Sequence, residues 1–225
     1  MVYLSHVLSA HIPTYGGKDL CNIERVKKIS NGDTSNNSHI HISSHVGTHI
    51  DAPYHFCDSG KTLDQYPPEF WICKYPFVID LSINKDELIL FDKIQNQLHE
   101  IPELTDILFI RTGFENCRIG NKKDKYIFHN PGIDADIGHW LRENKSIKMI
   151  GIDFISLSSY AHREEGRLAH KAFLSDHEKN GTIFDPILII EDMKLINYNN
   201  KIKNVVVLPL RIEKIDGSPV TVIGW

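Results

Sequence analysis

Short apolar runs alternate with polar stretches punctuated by glycine and proline along the whole chain. Nine of these runs are strand-sized and rich in β-branched residues: Val2–Leu8, Ile23–Ile29, Ser38–Ser44, Tyr75–Leu81, Ile107–Arg111, Lys148–Ile152, Ile187–Ile190, Val205–Leu210 and Val220–Ile223. Three segments instead repeat apolar residues at helical spacing. Phe91–Leu98 aligns Phe91, Ile94 and Leu98. Asp134–Glu143 groups Ile137, Trp140 and Leu141, with Asp134 or Asp136 available as a cap. Glu164–His177 groups Leu168, Ala172 and Ser175, with Glu164 and Glu165 near its N-terminal, positive end. Strands interleaved with about three helices predict an α/β fold with a mixed sheet. The Asn/Ser/Gly-rich stretch Ser30–Ser38 reads as a loop within one domain spanning 1–225.

The sharpest alternation runs from His39 to Asp51. His39, His41, Ser43, His45, Gly47, His49 and Asp51 are polar or small, while Ile40, Ile42, Val46, Thr48 and Ile50 are apolar or β-branched. Period two means extended chain with the histidines on one face. A helix would also bring His45 and His49 together, but Val46, Thr48, Ile50, Gly47 and the nearby Pro53 oppose one. Fully extended, His45 and Asp51 would stand about 20 Å apart. Ligand bonds to a metal are only about 2 Å long, so sharing an ion demands a curl. Gly47 can supply the dihedrals for that bend. Imidazole with carboxylate suits Zn²⁺, Mn²⁺ or Fe²⁺. The competing reading is a surface strand with its histidines in water. His39 and His41 precede the bend and read as neighbours of a site, not as ligands.

Composition narrows the function. Among 225 residues, 25 Lys+Arg face 29 Asp+Glu, a formal charge of −4, with no basic block to meet nucleic-acid phosphates. No apolar run approaches the roughly 18–20 residues of a membrane helix. Met1–Ala10 lacks a basic cluster ahead of an apolar core, so no secretory leader is expected. Cys21, Cys57, Cys73 and Cys117 form no C-x-x-C pair and read as free thiols in a reducing cytoplasm. Phosphate-cradling glycine motifs are absent.

The stretch His45-Val46-Gly47-Thr48-His49-Ile50-Asp51-Ala52-Pro53-Tyr54-His55 resembles the H-x-G-T-H-x-D-x-P-x-H signature of the cyclase family of metal-dependent hydrolases, which includes bacterial kynurenine formamidase and isatin hydrolase. The likeness continues along the chain. Ile12-Pro13-Thr14-Tyr15-Gly16-Gly17 is similar to the family's P-x-W-P-G segment, and Gly151-Ile152-Asp153 to its G-x-D strand end. Ala169-His170-Lys171-Ala172-Phe173-Leu174 is similar to its A-H-x-x-L-L helix, and Ile190–Leu195 to its E-N-L element. Leu208-Pro209-Leu210 and Asp216-Gly217-Ser218-Pro219-Val220 resemble its closing hairpin.

The resemblance implies a swivelling β/β/α domain with a barrel-like sheet, a homodimer or homotetramer, and a site for two divalent ions, zinc or manganese. His45, His49 and Asp51 would bind the first ion. Asp51 would also reach the second, completed by His170 and Glu191, with His55 as the catalytic acid/base and Tyr15 at the substrate. Glu191 has independent support: it ends the apolar run Ile187–Ile190, where a lone charge is costly. The implied activity is hydrolysis of a carbon–nitrogen amide bond in a small molecule, such as a formamide, aryl amide or lactam. A ring-closing or dehydrating reaction on the same site, or metal-dependent binding without turnover, are the alternatives.

Several positions depart from the pattern. The gap from His170 to Glu191 is long, and its polar residues Ser175–Phe184 are expected to extend the helix and its loop. Tyr15 and Gly16 replace tryptophan and proline, and Thr221 stands where arginine is usual. The charged segment Ser158–Arg167 brings His162 as a rival to His170, and Arg163 and Arg167 as candidates for holding an acidic group. The metal residues are untouched, so a specialised member is expected.

Overall fold

In the computed structural model, which describes residues 1–199 and 201–225, the strands are β1 (Val2–Tyr3), β2 (Cys21–Lys27), β3 (Asn37–Ile42), β4 (His49–Asp51), β5 (Ile72–Cys73), β6 (Pro76–Asp80), β7 (Leu88–Ile89), β8 (Ile107–Arg111), β9 (Gly132–Ile133), β10 (Met149–Ile152), β11 (Glu178–Lys179), β12 (Thr182–Ile183), β13 (Leu188–Glu191), β14 (Val205–Pro209) and β15 (Gly217–Gly224). The helices are α1 (Phe91–His99), α2 (Lys123–Phe128), α3 (Ala135–Asn144) and α4 (Arg163–Leu174). The main sheet runs β5-β14-β15-β4-β13-β10-β8-β6, with β1 added alongside β15. Its β6-β8-β10-β13 half is parallel and the remainder antiparallel. The terminal strands of that order, β5 and β6, are joined through Lys74 and Tyr75 alone, so the sheet curls until its ends nearly meet. The Asp106 carboxylate pins the join, accepting from the Lys74 and Tyr75 amides at 2.8 and 3.0 Å. This is the expected mixed, barrel-like α/β architecture.

Central strands are buried on both faces, which explains their nearly continuous apolar runs. Alternation assigns the faces. Ile107, Phe109, Met149, Leu188 and Ile190 pack inside the curled sheet with Ile50, Val205, Val207 and Trp71. Leu108, Ile110, Ile150, Ile152 and Ile189 pack outward against Leu98, Leu141 and Phe173 of the helices.

Three details differ from the sequence expectation. Helix α2 went unpredicted because six residues are too few to display a stripe, although Tyr126 and Ile127 are buried. Helix α4 stops at Leu174, and the chain beyond it turns into the small β11–β12 hairpin instead of lengthening the helix. Leu168 is exposed; the buried stripe is Gly166, Ala169, His170 and Phe173, at spacings of three, four and seven.

One buried acid bears on stability. Burial pushes the Glu115 carboxyl up to about 7, although it accepts from the Leu195 and Ile196 amides at 2.7 Å each. The folded state therefore holds this proton more tightly than the unfolded chain, whose glutamates titrate near ~4.3. Its contribution is complete below the unfolded value and is lost as the pH rises through about 7. Urea melts from pH 4.5 to 7.5 should show Glu115→Gln removing that decline relative to the parent chain.

Candidate metal centre

Alternation along β4 sends Ile50 into the barrel core, so His49 and Asp51 point to the opposite face, toward the helices. On β13, Ile189 faces the helices, and Glu191, two residues on, shares its side. The two strands are antiparallel, with Glu191 opposite His49 and Ile189 opposite Asp51. The buried stripe of α4 brings His170 down from above. Four residues drawn from three elements thus converge in a buried spot.

Their orientation is set by the backbone. His49 Nδ1 lies 2.8 Å from the Gly47 carbonyl, and His170 Nδ1 lies 2.8 Å from the Gly166 carbonyl. A carbonyl only accepts, so both rings donate there and turn Nε2 inward. His49 Nε2 is 3.5 Å from both Asp51 Oδ1 and Glu191 Oε2. His170 Nε2 is 3.7 Å from Asp51 Oδ2 and 3.3 Å from Glu191 Oε1. In neutral imidazoles these are lone pairs facing lone pairs, which a shared cation or a proton on each ring reconciles. Two donors each about 2.1 Å from one tetrahedral ion would lie about 3.4 Å apart. The donors are nitrogen and oxygen only, and with their neighbours they form three overlapping groups, each within 4.8 Å: the largely buried His45–His49–Asp51 and Asp51–His170–Glu191, and the less buried His45–His55–Asp216. The set therefore fits a pair of ions such as Zn²⁺ or Mn²⁺ sharing Asp51. Burial pushes the His170 pKa down, yet the Glu191 and Asp51 carboxylates more than offset it and raise the pKa above the ordinary value. The pocket favours positive charge.

Gly47 adopts φ +63°, the bend that the His45–Asp51 spacing demanded. His45 swings beneath it, with Nδ1 2.8 Å from Asp51 Oδ1 and Nε2 2.8 Å from Asp216 Oδ2. Burial alone would depress its pKa, but the two carboxylates raise it to about 10. Asp51 is held below the usual carboxylate range by His45 despite its burial. A methyl carbon on Gly217 would come within 2.4 Å of His45 Cε1, so the ring occupies space that only glycine leaves free.

Sequence reasoning missed Asp216. Its Oδ2 also meets His55 Nδ1 at 3.2 Å, and the His45 and His55 rings stack with centroids 3.9 Å apart. His45, chiefly, and His55 hold the Asp216 carboxyl well below its ordinary value. The one available signal was an acid immediately before a glycine in Asp216-Gly217-Ser218-Pro219. A single carboxylate therefore braces both a candidate ligand and the candidate acid/base.

A cavity of about 290 Å³ opens onto this cluster, walled by Tyr15, Phe56, Ile155 and Ser158 together with His55. The Phe56 ring stacks on His170 at 4.7 Å. Tyr15 donates to the Ser159 carbonyl at 3.4 Å and meets the Tyr160 ring edge-on. His162 lies outside the cluster, with Nε2 donating to the Asp86 carbonyl at 3.1 Å. Asp153 is occupied elsewhere by the Thr112 hydroxyl and the Thr112 and Gly113 amides. His39 and His41 are exposed on the β2–β3 hairpin.

A family model described as "Putative cyclase" matches residues 2–159, about seven-tenths of the chain, including the whole His45–His55 motif. The chain belongs to the cyclase family. The chain is 29% identical over 231 residues to Cyclase-like protein 2 of Oryza sativa subsp. japonica, covering 96% of the chain and 76% of that protein. It is 28% identical over 221 residues to a kynurenine formamidase of Bacillus cereus, covering 96% and 93%. In fold it is similar to isatin hydrolase A of Labrenzia aggregata, with a TM-score of 0.78 at 23% identity over 99% of the chain and 92% of that structure. His170 and Glu191 lie beyond the residues that the family model matches, and the fold alone brings them to the motif.

Proposed function

We propose that this cyclase-family chain is a metal-dependent hydrolase that cleaves a carbon–nitrogen amide bond in a small formamide, aryl amide or lactam. The observation that carries the reading is the meeting of two inward imidazole nitrogens with the Asp51 and Glu191 carboxylates at 3.3–3.7 Å beside a cavity. Full-length similarity to a kynurenine formamidase supports the bond class. His45, His49 and Asp51 would hold one divalent ion, and Asp51, His170 and Glu191 a second. Bound there, such ions polarise a carbonyl and lower the pKa of water toward ~7.

The chain's own residues do the rest. His55, braced at Nδ1 by Asp216, keeps Nε2 for a proton that can pass to the leaving nitrogen. Phe56, Ile155 and Tyr15 limit water and offer flat apolar surface to an aromatic ring. Ring closure with loss of water remains the second reading, because the same site can run either direction of addition to a carbonyl.

The proposal extends to organisation. Residues 1–225 act as one domain, since both cores are built on one sheet. The β2–β3 hairpin is almost wholly exposed and carries Ile23, Val26 and Ile40 outward. A free-standing two-stranded hairpin is marginal in water, which supports cover by a second copy in a homodimer or homotetramer. No helix among the described residues is long and apolar enough to cross a membrane, and Cys21, Cys57, Cys73 and Cys117 are free, in keeping with a cytoplasmic site.

The test is a screen of N-formyl-arylamines, isatin and lactones against the Mn²⁺- or Zn²⁺-loaded protein, with metal content measured first. Turnover of an amide with uptake of water is expected. Metal-dependent binding without turnover would overturn the reading.

A further inference from the structure

Glu191 is aimed by the residue that follows it. Asp192 is buried, takes φ +52°, and turns the chain away from β13. Its carboxylate meets three donors in the interior. Arg118 Nε donates to Oδ1 and Arg118 Nη2 to Oδ2, each at 2.7 Å, and the Tyr126 hydroxyl donates to Oδ1 at 2.5 Å. Arg118, Asp192 and Tyr126 are all buried, so this is an ion pair largely removed from water. Such pairs seldom stabilise a fold beyond what apolar packing would, so their retention calls for another explanation.

The backbone of Asp192 supplies one. Its amide donates to the Phe154 carbonyl at 3.0 Å, and its carbonyl accepts from Thr48 Oγ1 at 2.6 Å. Thr48 lies between the Gly47 bend and His49. The same turn thus touches both halves of the cluster, the strand end carrying Glu191 and the bend carrying His49. The Leu157 amide secures Glu191 itself, 2.6 Å from Oε1.

We infer that Arg118 and Tyr126 are positioning residues for the metal centre, acting through Asp192 to hold the left-handed turn that aims Glu191 and steadies His49. The inference rests on the metal-dependent reading above. Neither residue belongs to the cavity wall, and neither touches a candidate ligand directly.

Two variants test it. Tyr126→Phe removes one donor and keeps the ring. Arg118→Met with Asp192→Asn removes both charges together, leaving no buried ion alone, and asparagine tolerates a positive φ. The readouts are the melting temperature of chelator-treated protein and the Mn²⁺ or Zn²⁺ dissociation constant by calorimetry. Residues that orient ligands are typically worth 10–100-fold in metal affinity. The double variant is expected to weaken metal binding by about that factor, and Tyr126→Phe by a smaller one, while the metal-free melting temperature stays close to the parent's. Parental affinity in the double variant, or a loss of affinity that merely follows a collapse of the metal-free fold in both variants, would overturn the inference. Failure of the parent protein to bind metal would instead remove the reading beneath it, so the two failures are distinct.

Discussion

His55→Ala is expected to lower kcat by about 10²–10⁴-fold while the protein keeps its full metal content, the usual range for losing a general acid or base. His55 lines the cavity, but its Nδ1 is engaged by Asp216 at 3.2 Å, and it falls outside the groups of donors that include Asp51 or Glu191. It stands against His45 ring to ring, close enough to serve the same carbonyl. KM should change little, because a proton transferred only in the transition state adds nothing to ground-state binding. Asp216→Asn supplies the contrast. Asp216 leans on His45 as well as His55, so its loss should reduce kcat and metal retention together. Elemental analysis beside steady-state kinetics separates the two. Loss of metal from His55→Ala would make His55 a ligand and sink its assignment as the proton carrier.

How much of this site was legible in the sequence depends on how far apart the partners lie. The Gly47 bend was readable because alternation, a glycine and the reach of a metal bond all operate within seven residues. Glu191 was readable because a carboxylate ending Ile187–Ile190 must emerge from a buried strand. The face of α4 was not. Leu168 fits a helical stripe with the buried Ala172 as well as Gly166, Ala169 and Phe173 fit theirs, and only the packing beneath decides that Leu168 is left exposed. The closing hairpin that carries Asp216 was recognisable, but the role of Asp216 was hidden for a stronger reason. It meets His45 across 171 residues, and no local pattern reports a contact made by closing a barrel. The interior pair of Arg118 and Asp192, 74 residues apart, escaped for the same reason. Curling of the sheet follows from the two-residue link between β5 and β6; β6 lies within the predicted strand Tyr75–Leu81, but β5, only two residues long, is too short to read.

Glu191→Gln is expected to leave the metal-free protein as stable as the parent or more so, and to abolish the stabilisation that the second ion confers. Asp51 and Glu191 place two carboxylates around the same buried imidazoles. Glutamine keeps an oxygen for the Leu157 amide and the Ser156 hydroxyl. Its NH2 group then faces His49 Nε2 where Glu191 Oε2 lay 3.5 Å away, replacing an acceptor with a donor. Without an ion the Glu191 carboxylate relies on the Leu157 amide, the Ser156 hydroxyl and His170 Nε2 to offset its burial, whereas glutamine carries no charge to desolvate. The cost appears only with metal. At an ion concentration of about a hundred times Kd, binding adds about 2.7 kcal/mol of stability. In a chain of this size that is about 5–10 °C in Tm. Melting curves with chelator and with Mn²⁺ or Zn²⁺, read beside the metal content, should show the second ion's increment in the parent and only the first ion's in the variant. A residue that serves only packing would behave in the opposite way. If Glu191→Gln melts several degrees lower in chelator yet keeps the second ion's increment, Glu191 holds β13 in the sheet and the second ion has another home.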